Sequence, residues 1–197
     1  MSYEQIKTLS DKILDISEKI LFTMGPFLKE GIYQDILVSE LQSQNMETIR
    51  ELVFNYKFTN SEGKYIPIGN NQSLRSDIEL PQYLGILELK SSGSSTKDEN
   101  VWQLRNYLEN RDDRHWGLVI NFVSKFGPKT HPKVEISLLI KKEYLDREES
   151  RYQIQTRSQK KIKINKYYLE SWSSLPYPKQ EDILIPYIQN SNVLNLD

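Results

Sequence analysis

The chain has 197 residues, with 26 Lys and Arg against 27 Asp and Glu, a net charge of -1, 38% hydrophobic and 27% charged residues. That length suits one domain with a sizeable core, and the near-neutral balance leaves any nucleic-acid partner to a local basic patch or a bound metal rather than to a global positive field. There is no cysteine and there are only two histidines, His115 and His131, which excludes disulfides, thiolate or histidine-rich metal sites and a cysteine nucleophile; any metal would be held mainly by carboxylates, which favours Mg²⁺ or Mn²⁺.

The N-terminal segment is amphipathic and charged, unlike a signal peptide. Ile6, Leu9, Ile13, Ile16 and Ile20 recur at helical spacing and predict a helix from about Tyr3 to Phe22. Gly25-Pro26 breaks the chain, and a second helix is expected from about Phe27 to Gln44, with Leu28, Ile32, Ile36, Leu37 and Leu41 as its apolar sector. Strand material follows. Residues from Leu52 to Phe58 alternate, the segment after Thr59 reads as a turn, and Lys64 to Ile68 returns as an edge strand because of Pro67. Ser73 to Leu80 and Gly85 to Ser91 are two further strands joined by a short connection.

Thr96 followed by Glu99 reads as a capping box for a helix carrying Val101, Leu104 and Leu108. Trp116 to Val123 is an apolar strand buried on both faces, and Lys133 to Ile140 is another. The order is α+β or mixed α/β, with a central sheet flanked by helices. From Lys141 the composition turns basic. Ile162 and Ile164 alternate with lysines as in a half-buried strand, and Pro176 and Pro178 punctuate a linker. The expected division is a core over 1–140 and a basic extension over 141–197. No run approaches the ~20 apolar residues of a membrane span, so an intracellular protein with no membrane partner is expected.

The chemistry centres on Gly85-Ile86-Leu87-Glu88-Leu89-Lys90. Alternation puts Ile86, Glu88 and Lys90 on one face and Leu87 and Leu89 on the other. A Glu-x-Lys spacing alone is an ordinary solvated pair, as Glu62 and Lys64 in a turn illustrate. Asp77 changes its meaning. It lies eleven residues before Glu88 on the preceding strand, and strands joined by a tight turn lie about 5 Å apart. Two neighbouring carboxylates repel unless cationic charge joins them. Lys90 supplies one such charge, and a divalent cation on hard oxygen ligands would supply more.

This Asp…Glu-x-Lys pattern on adjacent strands resembles the PD-(D/E)XK nucleases. The blocks from Gly25 to Leu37, Ser73 to Leu80, Gly85 to Ser91, Gln103 to Leu108 and Gly117 to Phe122 resemble the GxxExxY family of that superfamily, over roughly residues 10 to 140. In its namesake motif Glu30 and Tyr33 match, while Phe27 replaces the glycine. The resemblance implies a restriction-endonuclease-like fold and a Mg²⁺-dependent (or Mn²⁺-dependent) phosphodiesterase acting on nucleic acid, with DNA the expected substrate. Asp77, Glu88 and the Leu89 backbone carbonyl would bind the metal. Lys90 would orient the attacking water or stabilise transition-state charge.

The same resemblance makes Glu30 a third acidic ligand or a holder of the metal's water, and sets Gln103 facing the phosphate or the lysine. Without it, Glu30 reads as a boundary residue or a partner of Tyr33, and Gln103 as a surface glutamine. Arg75, Arg105 and Tyr33 are candidate nucleic-acid contacts. So are Lys160, Lys161 and Lys163, whose other reading is the lysine-rich solvent face of a hairpin. Glu79 is a competing ligand, and neither histidine has an assigned role. A homodimer is expected if both strands of a duplex are cut. The rival readings are a catalytically silent nucleic-acid-binding or assembly module, an RNA-directed endonuclease of the same superfamily, and a structural protein in which Glu88 and Lys90 are a surface pair.

Overall fold

The computed structural model describes residues 1–59, 62, 65–67, 73–125, 131–145 and 167–174. The N-terminal periodicity becomes α1 (Tyr3–Met24). Ser2 caps it: its hydroxyl accepts from the Gln5 amide, and the Gln5 side chain accepts from the Ser2 amide. Two amides that a helix start leaves open are thereby satisfied. Ile6, Ile13, Ile16 and Ile20 are buried along one stripe.

Gly25 ends α1 at φ 77, backbone that glycine adopts without a Cβ clash. Phe27 follows at φ 76 and Lys29 is extended, so α2 (Glu30–Ser43) starts at Glu30 rather than at Phe27. The unwound segment is tied down by side chains. Ser91 Oγ donates to the Leu28 carbonyl at 2.8 Å, and Tyr33 Oη donates to the Gly25 carbonyl at 2.8 Å.

The strands are β1 (Ile49–Asn55), β2 (Lys57–Thr59), β3 (Tyr65–Pro67), β4 (Ser73–Leu80), β5 (Gly85–Ser92), β6 (Trp116–Val123), β7 (Lys133–Lys141) and β8 (Tyr167–Ser173). The single strand expected over Leu52 to Phe58 is split. The Lys57 amide is taken by the Asn110 side chain, and β2 pairs with β3 in a separate hairpin. The main sheet is six-stranded, in the order β1-β4-β5-β6-β7-β8. Only β5 and β6 run parallel among its neighbours. They are joined through α3 (Asp98–Asn110), as a parallel pair needs a crossover.

Period-two alternation sends the two faces to different helices. Leu87, Leu89, Leu118, Ile120 and Phe122 pack with α1 and α2, while Ile86, Val119 and Leu139 pack with Val101, Leu104 and Leu108 of α3. Gly117 lets α3 sit close. A Cβ there would stand 2.6 Å from a Leu104 methyl and 2.9 Å from the Ile86 carbonyl oxygen. The cap of α3 is not the expected Thr96. Thr96 instead donates its amide to Glu135 at 2.8 Å, and the Lys97 amide is accepted by Asn100 at 3.1 Å.

Strand β8 was not expected from the sequence. It adds to the β7 edge from Lys141↔Tyr167 to Glu135↔Ser173, and Tyr3 Oη donates to its buried Glu170 at 2.6 Å. The strand expected around Ile162 and Ile164 and the linker at Pro176 and Pro178 lie outside the described residues.

Candidate active site

The β4–β5 hairpin pairs Leu80↔Gly85, Glu79↔Ile86 and Ile78↔Leu87, and there its ladder stops. Continuing that register sets Asp77 opposite Glu88. In place of a backbone bond, Asp77 Oδ2 accepts the Leu89 amide at 2.7 Å. The pairing of β1 with β4 skips the same point. Arg50↔Ile78 and Leu52↔Ser76 are paired, whereas Glu51 between them has φ 51. Ser76 and Glu79, three residues apart, reach each other at 3.2 Å, although strict alternation puts them on opposite faces. Strand β4 is therefore turned at Asp77. Gln34 of α2, itself buried, donates Nε2 to the Asp77 carbonyl at 2.8 Å and to Glu51 at 3.1 Å. That bond replaces the ladder partner which the turned carbonyl has lost.

An extended residue points its N–H and C=O to the same edge. The Leu89 amide faces Asp77, so the Leu89 carbonyl faces the same gap. Glu88 is 1% exposed. Its Oε1 accepts from Lys90 Nζ at 2.5 Å, and Lys90 Nζ lies 4.0 Å from Glu30. Glu88 Oε2 is buried with no hydrogen-bond partner. Burial pushes the Glu88 carboxyl up to about 8, reinforced by Asp77 and only partly offset by Lys90. Burial likewise raises Asp77, against the lowering effect of the Leu89 amide and Lys90. Burial pulls Lys90 down, but the Glu88 carboxylate outweighs it and the ammonium is held above its ordinary value.

The far wall comes from α3. Gln103 Nε2 donates to Tyr107 Oη at 2.7 Å. The Tyr107 phenol is pushed up by burial and by the Glu88 carboxylate, so it stays protonated beside the acids. The cluster thus holds the buried Glu88, the half-buried Asp77 and one lysine, with a third carboxylate at its edge. It is short of positive charge, and one buried oxygen has no partner. That donor set fits a hard divalent cation on Asp77, Glu88 and the Leu89 carbonyl. Among the described residues, no group of three or more His, Cys, Asp or Glu side chains gathers at metal-holding spacing, so the backbone carbonyl matters to the fit.

The family model of the PD-(D/E)XK nuclease superfamily matches residues 7–133. The chain belongs to that superfamily. No curated protein and no solved structure matches it. The match runs from α1 to the first residue of β7, and so covers the whole Asp77–Glu88–Lys90 cluster and both helical walls. PD-(D/E)XK enzymes are metal-dependent nucleases that act on nucleic acid. Among the described residues no helix is long and apolar enough to cross a membrane.

In this PD-(D/E)XK chain the other expected residues divide. Glu30 opens α2 with its side chain 43% exposed, at the rim by Lys90. Tyr33 is fully buried and stacked on Phe122 at 4.0 Å, so it is a core residue and not the nucleic-acid contact expected. Arg75 is exposed and paired with Glu51 at 2.7 Å, and Arg105 with Glu109 at 2.7 Å. Glu79 does not compete as a ligand, because Arg111 and Arg114 hold its two oxygens at 2.5 and 2.7 Å. His115 stacks on Tyr144 at 3.5 Å. Lys160, Lys161 and Lys163 lie outside the described residues. Sequence reasoning missed Gln34 and Glu51. The signal for Gln34 was available: a glutamine one turn after Glu30, in the stripe that leads to Leu37 and Leu41.

Proposed function

We propose that the chain is a Mg²⁺-dependent nuclease of the GxxExxY type that hydrolyses phosphodiester bonds in DNA. The observation that carries this reading is the buried, unpartnered Glu88 Oε2 next to the turned Asp77. Two neighbouring carboxylates, Glu88 buried and Asp77 half-buried, whose pKa values are both raised need more positive charge than Lys90 brings. Asp77, Glu88 and the Leu89 carbonyl would hold the cation. Bound there, Mg²⁺ would polarise the phosphoryl oxygen and acidify the attacking water.

The chain's own residues do the rest. Lys90 stands beside Glu88 with its ammonium fixed, and offers preorganised positive charge where negative charge develops on the phosphoryl group. Glu30, at the rim 4.0 Å from Lys90 Nζ, would help to orient the attacking water. Gln103, held by Tyr107, presents an amide to the phosphate. Gln34 keeps the Asp77 backbone turned, so that its carboxylate stays aimed at β5. Cutting both strands of a duplex would bring two copies together as a homodimer.

The test is cleavage of labelled single-stranded, double-stranded and branched DNA, and of RNA, in Mg²⁺, Mn²⁺ or EDTA, by wild type and Lys90→Ala. The reading expects metal-dependent cleavage of DNA that Lys90→Ala lacks. No cleavage of any substrate would leave the silent binding module in its place, and cleavage of RNA alone would make it an RNA-directed enzyme.

A further inference from the structure

Beside the carboxylates, α3 and β4 border an open groove of about 570 Å³, lined by Tyr56, Arg75, Trp102, Gln103, Asn106 and Tyr107 among others. Gln103 and Tyr107 belong to both groove and catalytic cluster. Trp102 is the unusual member. It is 52% exposed, while Val101, Leu104 and Leu108 on the same helix are buried. Its ring is not left loose, because the Arg105 guanidinium lies over it, 4.5 Å from the centroid. A large apolar ring held out in water does nothing for the core. It is a preorganised flat surface at the mouth of a cleft.

The lining has a definite chemistry. Trp102 and Tyr56 offer aromatic surface, Gln103 and Asn106 offer amides with both donors and acceptors, and Arg75 offers a cation. These groups suit a nucleobase, whose face stacks and whose edge hydrogen-bonds. A base inside continuous duplex has its faces covered by its neighbours and its edge by its partner, so only an unpaired base can use the groove. Polarity agrees. Glu99 lines the groove too, paired with Lys97 at 3.2 Å, and stands eight residues from Tyr107, about 12 Å along the helix. The Lys97–Glu99 pair leaves, among the described residues, no unpaired cation for phosphate at that end, while the Tyr107 end adjoins Glu88 and, beside it, Lys90.

We propose that this groove binds an unpaired base of the substrate strand, stacked on Trp102 next to the bond to be cut, so that the enzyme selects single-stranded or locally unpaired nucleic acid over continuous duplex. The proposal rests on the nuclease reading above. Its test is fluorescence anisotropy in EDTA, with a short labelled DNA strand and the same strand in blunt duplex, using wild type, Trp102→Ala and Trp102→Phe. Wild type binds the single strand more tightly. Trp102→Ala weakens single-strand binding about tenfold and leaves duplex binding unchanged, and Trp102→Phe retains most of the affinity. Equal affinity of wild type for both forms, or unchanged single-strand binding by Trp102→Ala, overturns it. Because binding is read without metal, the two ideas separate. A Trp102 dependence without metal-dependent cleavage keeps the groove and sinks the nuclease. Lys90-dependent cleavage with no Trp102 dependence does the reverse.

Discussion

The Leu89 amide donates to the Asp77 carboxylate at 2.7 Å, a side chain on β4 filling the place that a backbone carbonyl would take in the hairpin ladder. The bond orients Asp77, but it does not need the negative charge. Asp77→Asn keeps an oxygen that can accept the same amide. The variant is therefore expected to fold with a melting temperature near wild type, and to lose cleavage in Mg²⁺ by a factor on the order of 10²–10³. Retained cleavage would show that Asp77 serves only to join the strands.

Gln34 works through Asp77. Removing its amide in Gln34→Leu leaves a buried carbonyl without a donor, at a cost of about 1–3 kcal/mol measured by urea denaturation. Mn²⁺ affinity should fall as well, by roughly 10- to 100-fold, as for residues that orient metal ligands. Lost stability with unchanged Mn²⁺ affinity would reduce Gln34 to a packing residue.

Glu88 gives the protein a pH dependence whose sign can be worked out. Its carboxyl titrates near 4.5 when unfolded and near 8 when folded, chiefly through burial. Between those values the folded protein keeps a proton that the unfolded chain has lost. The contribution to stability is full below the lower value and is lost as pH rises through the upper one. In EDTA, Glu88→Gln should melt like wild type at about pH 5 and above it at about pH 9, the window set by the shift. A Glu88→Gln variant that melts below wild type at the higher pH contradicts the burial argument. Added Mg²⁺ should raise the wild-type melting temperature more at high pH, where it no longer competes with the proton.

Gly117 sets the approach of α3, and with it Gln103 and Tyr107. A Cβ there meets the Ile86 carbonyl at 2.9 Å, and a backbone oxygen in the middle of a sheet cannot give way cheaply. Gly117→Ala should lose about 1–3 kcal/mol in urea denaturation. A change below about 0.5 kcal/mol, the usual level for an innocuous substitution, would mean that the helix is free to back away.

Much of this arrangement was legible in the sequence, because it follows from periodicity. Alternation in β5 separates Glu88 and Lys90 from Leu87 and Leu89, and the short turn after Leu80 brings Asp77 back beside them. What was not legible depends on departures from periodicity. The turn in β4 at Asp77 comes from Gln34 on another element, and nothing local in Ser73–Leu80 encodes it. Tyr33 matches the GxxExxY pattern that the sequence resembles, and its position has a structural reason of its own: its ring fills the core against Phe122 and its hydroxyl pins Gly25. Strand β8 is set by pairing with β7 across a long sequence separation, which no window of sequence can reveal.

In the proposed site Asp77 and Glu88 share a divalent cation that Lys90 does not touch. Calorimetric titration of Mn²⁺ into wild type, Glu88→Gln and Lys90→Ala decides whether they do. Wild type should bind, Glu88→Gln should not, and Lys90→Ala should bind at least as tightly as wild type because a competing cation has been removed. Undiminished binding by Glu88→Gln, or loss of binding in Lys90→Ala, would contradict the shared site.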